Sequence, residues 1–193
     1  MTMPKILVIA GSLRPGSLNA RLAGAALREL ALANIDATHL SLADYPLPLY
    51  DAEDEARSGF SPHALNLKRQ LRAHHGVFIA SPEYNASVSP LLKNAIDWVS
   101  RVRERGDDPL GPFHDRVFAL GAASPGKFGG LRGLMALRQV LELGCGATVI
   151  ARQVTIAHAD RAFDEVDRLK DDGEAEALRL TLRGLVDAVR RVM

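Results

Sequence analysis

Five short apolar runs, at residues 5–10, 38–42, 77–80, 117–122 and 148–151, alternate with segments whose apolar residues recur at helical spacing. A strand covered by helices on both faces reads as a continuous apolar run rather than an alternating one. Ile6-Leu-Val-Ile-Ala10 and Val77-Phe-Ile-Ala80 have that character. Residues 19–32 put Leu22, Ala23, Ala26, Leu27 and Leu30 on one helical face, with Arg21 and Arg28 away from it. Residues 62–73, a stretch from Pro90 to about 101, a stretch from 130 to about 143, and residues 174–192 follow the same pattern. In the last of these, Leu178, Leu182, Leu185, Val189 and Val192 share a face. Such an order predicts one α/β domain over residues 1–193, a three-layer sandwich around a five-stranded parallel sheet. Residues 45–50 cannot be helical, because Pro46 and Pro48 forbid it. The acidic run 51–55 reads as a solvated loop, and residues 101–115 as a charged loop.

Composition excludes several classes. A length of 193 residues suits one full core. A net charge of +1 gives no reason to expect nucleic acid or an anionic membrane as partner. No apolar run approaches the roughly 20 residues that span a bilayer. Residues 6–10 are too short for a signal-peptide core and run into Gly11-Ser-Leu-Arg14, so they read as the first strand. The single cysteine, Cys145, rules out an internal disulfide, fits a reducing cytoplasm and reads as a small core residue. The six histidines show no metal-ligand spacing, so no metal is expected. There is no Gly-x-Ser-x-Gly elbow for a hydrolase.

Three loops follow strands and share the carboxyl edge of the sheet, where open α/β sheets bind ligands. The first, Gly11-Ser-Leu-Arg-Pro-Gly-Ser-Leu-Asn19, precedes a helix, so backbone N–H groups and the positive end of the dipole face it. Ser12, Ser17 and Asn19 add neutral donors and Arg14 a guanidinium, a set suited to a phosphate monoester. The Gly11–Gly16 spacing matches a P-loop, but Ser17-Leu18 replaces the required lysine and hydroxyl residue, which argues against nucleotide hydrolysis. The second, residues 82–89, offers backbone groups for the edge of a flat heterocycle and Tyr84 for its face. Glu83 has two readings, a general acid or base, or a carboxylate paired with an arginine or accepting backbone bonds; the second is favoured for a lone carboxylate. The third, Ala123-Ser-Pro-Gly-Lys-Phe-Gly-Gly130, allows close backbone approach, with Ser124 the foremost contact, or is a flexible loop.

Together Gly11-Ser-Leu-Arg-Pro-Gly-Ser-Leu-Asn19, Pro82-Glu-Tyr-Asn85, Leu92-Lys-Asn-Ala-Ile-Asp-Trp98 and Ser124-Pro-Gly-x-x-Gly-Gly130 resemble the NAD(P)H-dependent FMN reductase family, a flavodoxin-like group with chromate, quinone and azo reductase relatives. The resemblance runs from the first strand to about residue 143. It implies a sheet of order 2-1-3-4-5 with FMN at the switch point. Ser12, Arg14, Ser17, Leu18 and Asn19 would then hold the FMN phosphate, and Pro82, Glu83, Tyr84 and Asn85 would line the ring and ribityl chain. Ser124 would touch the flavin from the third loop. It also implies a homodimer or homotetramer through helix 90–101, which agrees with the wide apolar face of Leu91, Leu92, Ala95, Ile96, Trp98 and Val99. One position departs: many members carry Pro-Gly where this chain has Ser89-Pro-Leu91, which bears on the start of the helix and on substrate access beside it.

The implied activity is a ping-pong oxidoreductase. NADPH or NADH gives hydride to the flavin N5 and leaves, and a quinone, azo compound, free flavin or metal oxyanion such as chromate is reduced in its place. The flavin carries the chemistry, so no catalytic acid or base is expected from the protein. The alternatives are a flavodoxin-like electron carrier, which the near-neutral charge disfavours, and a non-redox flavin-binding module. For a 2′-phosphate the arginines in hand are Arg14, Arg101, Arg103 and Arg105, none in a diagnostic motif.

Overall fold

The computed structural model describes residues 3–104 and 106–193. Arg105, one of the arginines considered for a 2′-phosphate, lies outside them. In chain order the elements are β1 (Lys5–Ala10), α1 (Leu18–Leu32), β2 (Asp36–Leu40), α2 (Ala52–Ser58), α3 (Pro62–Ala73), β3 (Gly76–Ala80) and a hairpin of β4 (Glu83–Tyr84) with β5 (Ser87–Val88). They continue with α4 (Pro90–Arg101), α5 (Gly111–His114), β6 (Val117–Ala123), α6 (Leu131–Gln139), β7 (Thr148–Ile156) and α7 (Asp172–Val192). One turn of π-helix, Val140–Gly144, prolongs α6.

The main sheet has the order β2-β1-β3-β6-β7 and every pairing in it is parallel. Setting the small hairpin aside, this is the expected 2-1-3-4-5. Successive strand residues face opposite sides, and the two cores divide accordingly. Ile6, Val8 and Ala10 pack against α1 and α7, through residues such as Leu22, Ala26, Leu182 and Leu185. Leu7 and Ile9 pack against α3, α4 and α6, through Leu67, Leu92, Val99, Leu134 and Leu137. Helices thus cover both faces, and the strand ends that carry loops 11–17, 81–89 and 124–130 fall on one edge.

The helix starts follow from local chemistry. Ser17, Ser61 and Ser89 each accept an amide hydrogen bond at the start of α1, α3 and α4, and Pro62 and Pro90 occupy first-turn positions where no N–H is needed. The acidic run 51–55 is not a loop. Asp51 accepts from the amides of Glu53 and Asp54, and Glu53, Asp54 and Glu55 sit at the positive end of the α2 dipole. A capped, charge-complemented helix can form there even though it buries no residue.

Three further expectations shift. Strand β2 begins two residues earlier than its apolar run suggests, and Leu42 belongs to a short 3₁₀ turn, because β2 is an edge strand with only Leu40 buried. Strand β7 runs on to Ile156 through polar Arg152 and Gln153, with an irregular register opposite Phe118 and Leu120. The wide apolar face of α4 is covered by its own chain. Leu92, Ala95, Ile96 and Val99 face the sheet, while Trp98 packs edge-on to Tyr50 at 5.3 Å and donates to the Pro48 carbonyl at 2.8 Å. Its width therefore carries no argument for a partner chain. Among the described residues no helix is long and apolar enough to cross a membrane. Cys145 is buried, and burial pushes its thiol up to about 11.

Candidate functional site

The carboxyl ends of β1, β3 and β6 lie side by side, joined beyond the strands by Gly11 N–H to the Ala80 carbonyl and Ser81 N–H to the Gly121 carbonyl, both at 2.8 Å. The three loops therefore leave the sheet together. They enclose a cleft of about 100 Å³ lined by Ser12, Arg14, Ser17, Leu18, Asn19, Pro82, Glu83, Tyr84, Ala123, Ser124 and Pro125. Of the residues expected at the site, Asn85 alone is absent from this lining. Larger hollows exist, among them a groove of about 460 Å³ between α1 and α7, but it lies at the far end of α1, where Leu32 and Ala33 are. The smaller cleft is the one at the carboxyl edge, with a helix N-terminus opening into it.

Within the first loop, Ser17 is 2% exposed and caps α1, its Oγ accepting from Ala20 N–H at 3.4 Å. The amides of Leu18 and Asn19 precede the helix's own hydrogen-bond ladder and face the cleft end of the helix. Ser12 Oγ accepts from Arg14 N–H at 3.3 Å, and its own hydroxyl proton remains to donate. Arg14 is exposed and has no carboxylate within ion-pair distance among the described residues. The Asn19 side chain does not face a ligand. It is 3% exposed and its amide is used twice on Ala123, donating to the carbonyl and accepting from the N–H, each at 2.9 Å.

The second loop is a hairpin whose two central residues, Asn85 and Ala86, have φ of 50° and 61°. Two residues at positive φ make the mirror-image turn that matches strand twist, and asparagine accepts that conformation more readily than alanine. Asn85 thus shapes the turn at the hairpin tip, and Tyr84 before it stays half exposed. The hairpin is tied at its base by Ser89, whose hydroxyl donates to the Gly11 carbonyl at 2.8 Å. Glu83 turns toward α6. Its carboxylate pairs with Arg132 and accepts from Gly133 N–H at 3.0 Å. Burial alone would raise its pKa, but the Arg132 guanidinium and the Gly133 amide outweigh burial and hold it below the ordinary glutamate value. The paired reading of Glu83 is the one present, and no proton-transfer role follows from its surroundings.

Single side chains thus bridge the site: Ser89 ties the second loop to the first, Asn19 the first to the third, and Glu83 the second to α6, the helix that follows the third loop. Ser124 belongs to the third loop, its Oγ accepting from Gly126 N–H at 3.2 Å. The Arg101 guanidinium lies 4.5 Å over the Tyr50 ring in the last turn of α4. At about 1.5 Å of rise per residue, that is roughly 18 Å along the helix from its cleft end. Arg101, and Arg103 after it, therefore lie away from the cleft. Arg132, the partner of the lining residue Glu83, is a basic residue beside the cleft that the sequence does not mark. No local signal marks Arg132, because its partner Glu83 is 49 residues away.

Comparison with known proteins identifies relatives of the chain. An NAD(P)H-dependent FMN reductase of Pseudomonas aeruginosa is 39% identical over 189 residues, spanning 97% of this chain and 96% of that one. A quinone reductase of Escherichia coli is 38% identical over 138 residues, spanning 71% of this chain and 69% of that one. Among solved structures, the flavoenzyme NAD(P)H:(acceptor) oxidoreductase of Paracoccus denitrificans shares the fold, with a TM-score of 0.78 at 24% identity and 98% of each chain covered. The sequence model of the NADPH-dependent FMN reductase family matches residues 4–161, and the chain belongs to that family of oxidoreductases.

Proposed function

We propose that the protein binds FMN in the three-loop cleft and uses NADPH or NADH to reduce small acceptors. The observation that carries this reading is the donor set of the cleft. A helix N-terminus, the hydroxyls of Ser12 and Ser17 and the guanidinium of Arg14, unpaired among the described residues, converge there, and the lining carboxylate, Glu83, is already engaged by Arg132. An anion is attracted and meets no free negative charge. The enclosed volume of about 100 Å³ suits a phosphate group, while Pro82, Tyr84 and Ser124 border the open side where a flat ring would rest.

FMN, when bound, supplies the redox chemistry by taking a hydride from the nicotinamide and passing the reducing equivalents to the acceptor. The protein's part is to hold and shape. Ser12, Arg14, Ser17 and the first-turn amides of Leu18 and Asn19 fix the phosphate. Pro82, Glu83 and Tyr84 present backbone groups to the ring edge. Tyr84, half exposed, borders the position where donor and acceptor alternate. Ping-pong order, with donor and acceptor taking one position in turn, is part of the proposal. Quinones are the first acceptors to try, because the names of several relatives carry them; azo compounds, free flavin and chromate come next.

The test is visible absorbance of the purified protein with added FMN, followed under nitrogen as NADPH or NADH is added. The expected result is bound flavin that bleaches within the mixing time and recovers on adding a quinone. Flavin that binds and is bleached by neither nicotinamide would leave an electron carrier. No binding would overturn the reading. A homodimer or homotetramer with α4 at the contact is part of the proposal, and light scattering on the eluted protein tests it; a mass of 20.9 kDa at micromolar concentration would remove it.

A further inference from the structure

Helix α6 starts without a cap of its own. Its N-cap is Gly130, held at φ +89° and carrying no side chain to accept from the first-turn amides. A side chain is not accommodated there either, since a Cβ on Gly130 would lie 2.6 Å from that of Ala122. The missing acceptor comes from the hairpin, 50 residues away in sequence: Glu83 Oε2 accepts from Gly133 N–H at 3.0 Å. The other oxygen is held by the Arg132 guanidinium, which also lies 5.3 Å from the centre of the Phe128 ring in the third loop. The approach is close by construction, because a Cβ on Gly133 would come within 3.0 Å of Glu83 Cα and Cβ. The Glu83 side chain is 8% exposed and that of Arg132 is 55% exposed, so the guanidinium closes the contact from the solvent side.

We infer that Glu83 and Arg132 form a positioning pair: Glu83 caps α6 from the hairpin, and Arg132 holds the carboxylate there, so that the loops carrying Tyr84 and Ser124 keep one spacing across the cleft. Neither side chain needs to touch the ligand. The pair acts by preorganisation, and its loss appears as weaker ligand binding rather than as loss of fold. The consequence for FMN rests on the reading of the cleft proposed above; the coupling of hairpin to helix does not.

The experiment uses Glu83→Gln, Arg132→Ala, Arg132→Lys and the double variant Glu83→Gln/Arg132→Ala, with two readouts. The first is FMN affinity of the flavin-free protein, from quenching of flavin fluorescence. Each of Glu83→Gln and Arg132→Ala is expected to weaken it about tenfold, the scale of one charge-assisted hydrogen bond. The double variant is expected to be no weaker than the weaker single one. Arg132→Lys, which keeps the charge, is expected to stay near the unaltered protein, and saturating FMN is expected to restore turnover in all four. The second readout is amide hydrogen exchange of the flavin-free protein. In Arg132→Ala, exchange is expected to rise together in residues 83–88 and 131–134, with the thermal midpoint nearly unchanged. Unchanged exchange in both segments overturns the pair, whatever FMN does. If Glu83→Gln weakens FMN, Arg132→Ala does not, and the double variant adds nothing to Glu83→Gln, Glu83 is a direct ligand and the proposal falls. If the unaltered protein binds no FMN, the cleft reading fails and the exchange data alone decide the pair.

Discussion

Asn19 and Ser89 are polar residues beside the candidate cleft, and both turn their side chains into the protein: Asn19 is bound twice to Ala123, and Ser89 donates to Gly11. Glu83 does the same toward α6. Arg14 is the contrast, exposed and without a carboxylate partner among the described residues. Arg14→Ala should therefore weaken FMN binding about tenfold through loss of a charge-assisted contact to phosphate. Its stability should change by less than about 0.5 kcal/mol, as for other exposed positions. Titrating the flavin-free variant at low and high salt checks this. Equal affinity of both proteins at low salt would mean that Arg14 does not meet the phosphate. The chemical types in this cleft are legible in the sequence, since Ser, Arg and Asn in a strand-to-helix turn carry their own reason for being there. Which of them points outward is not, because for Asn19 that depends on Ala123, 104 positions away.

At the scale of elements, local signals predict well where a chain segment satisfies itself. The Ser-Pro starts of α3 and α4 are of this kind, and both helices begin where the sequence places them. The acidic stretch shows the other side of the same rule. Charge marks solvation, yet Asp51 as N-cap and three acids in the first turn also stabilise a helix. The hairpin β4–β5 leaves no strand signal, since two-residue strands have no period to detect. Its turn leaves Ala86 at φ 61°, a conformation that costs an L-residue about 1–2 kcal/mol. Ala86→Gly should stabilise the fold by about 1 kcal/mol, raising the thermal midpoint by roughly 2–4 °C. Calorimetry decides it, and a lowered midpoint would mean that Ala86 carries no such strain.

For the whole molecule, the segment after α4 anchors the edge of the protein remote from the cleft. Lys68 is fully buried in α3. It donates to the Val102 carbonyl at 2.7 Å and lies 2.7 Å from Asp107 Oδ2, a charge contact more than an aligned hydrogen bond. Lys68→Ala should cost about 3 kcal/mol in urea unfolding, since it strips a buried partner from both groups. A loss under about 1 kcal/mol would show that the segment is held by its other contacts. Lys68 first, opposed by burial, and then Arg72 hold the Asp107 carboxyl below its ordinary 3.8. Its contribution to stability is therefore complete above that value and lost as pH falls through the lower folded value. The main alternation of strand and helix, the starts of α3 and α4, and the presence of three ligand-suited loops after three strands are legible in the sequence alone, because each is written within a few consecutive residues. Only the packed chain places most of the apolar face of α4 on the sheet and its Trp98 against Tyr50 and Pro48, and gives Glu83 to Arg132 and Gly133. Such pairings join positions dozens of residues apart, and they exist only once the sheet has brought its strand ends together.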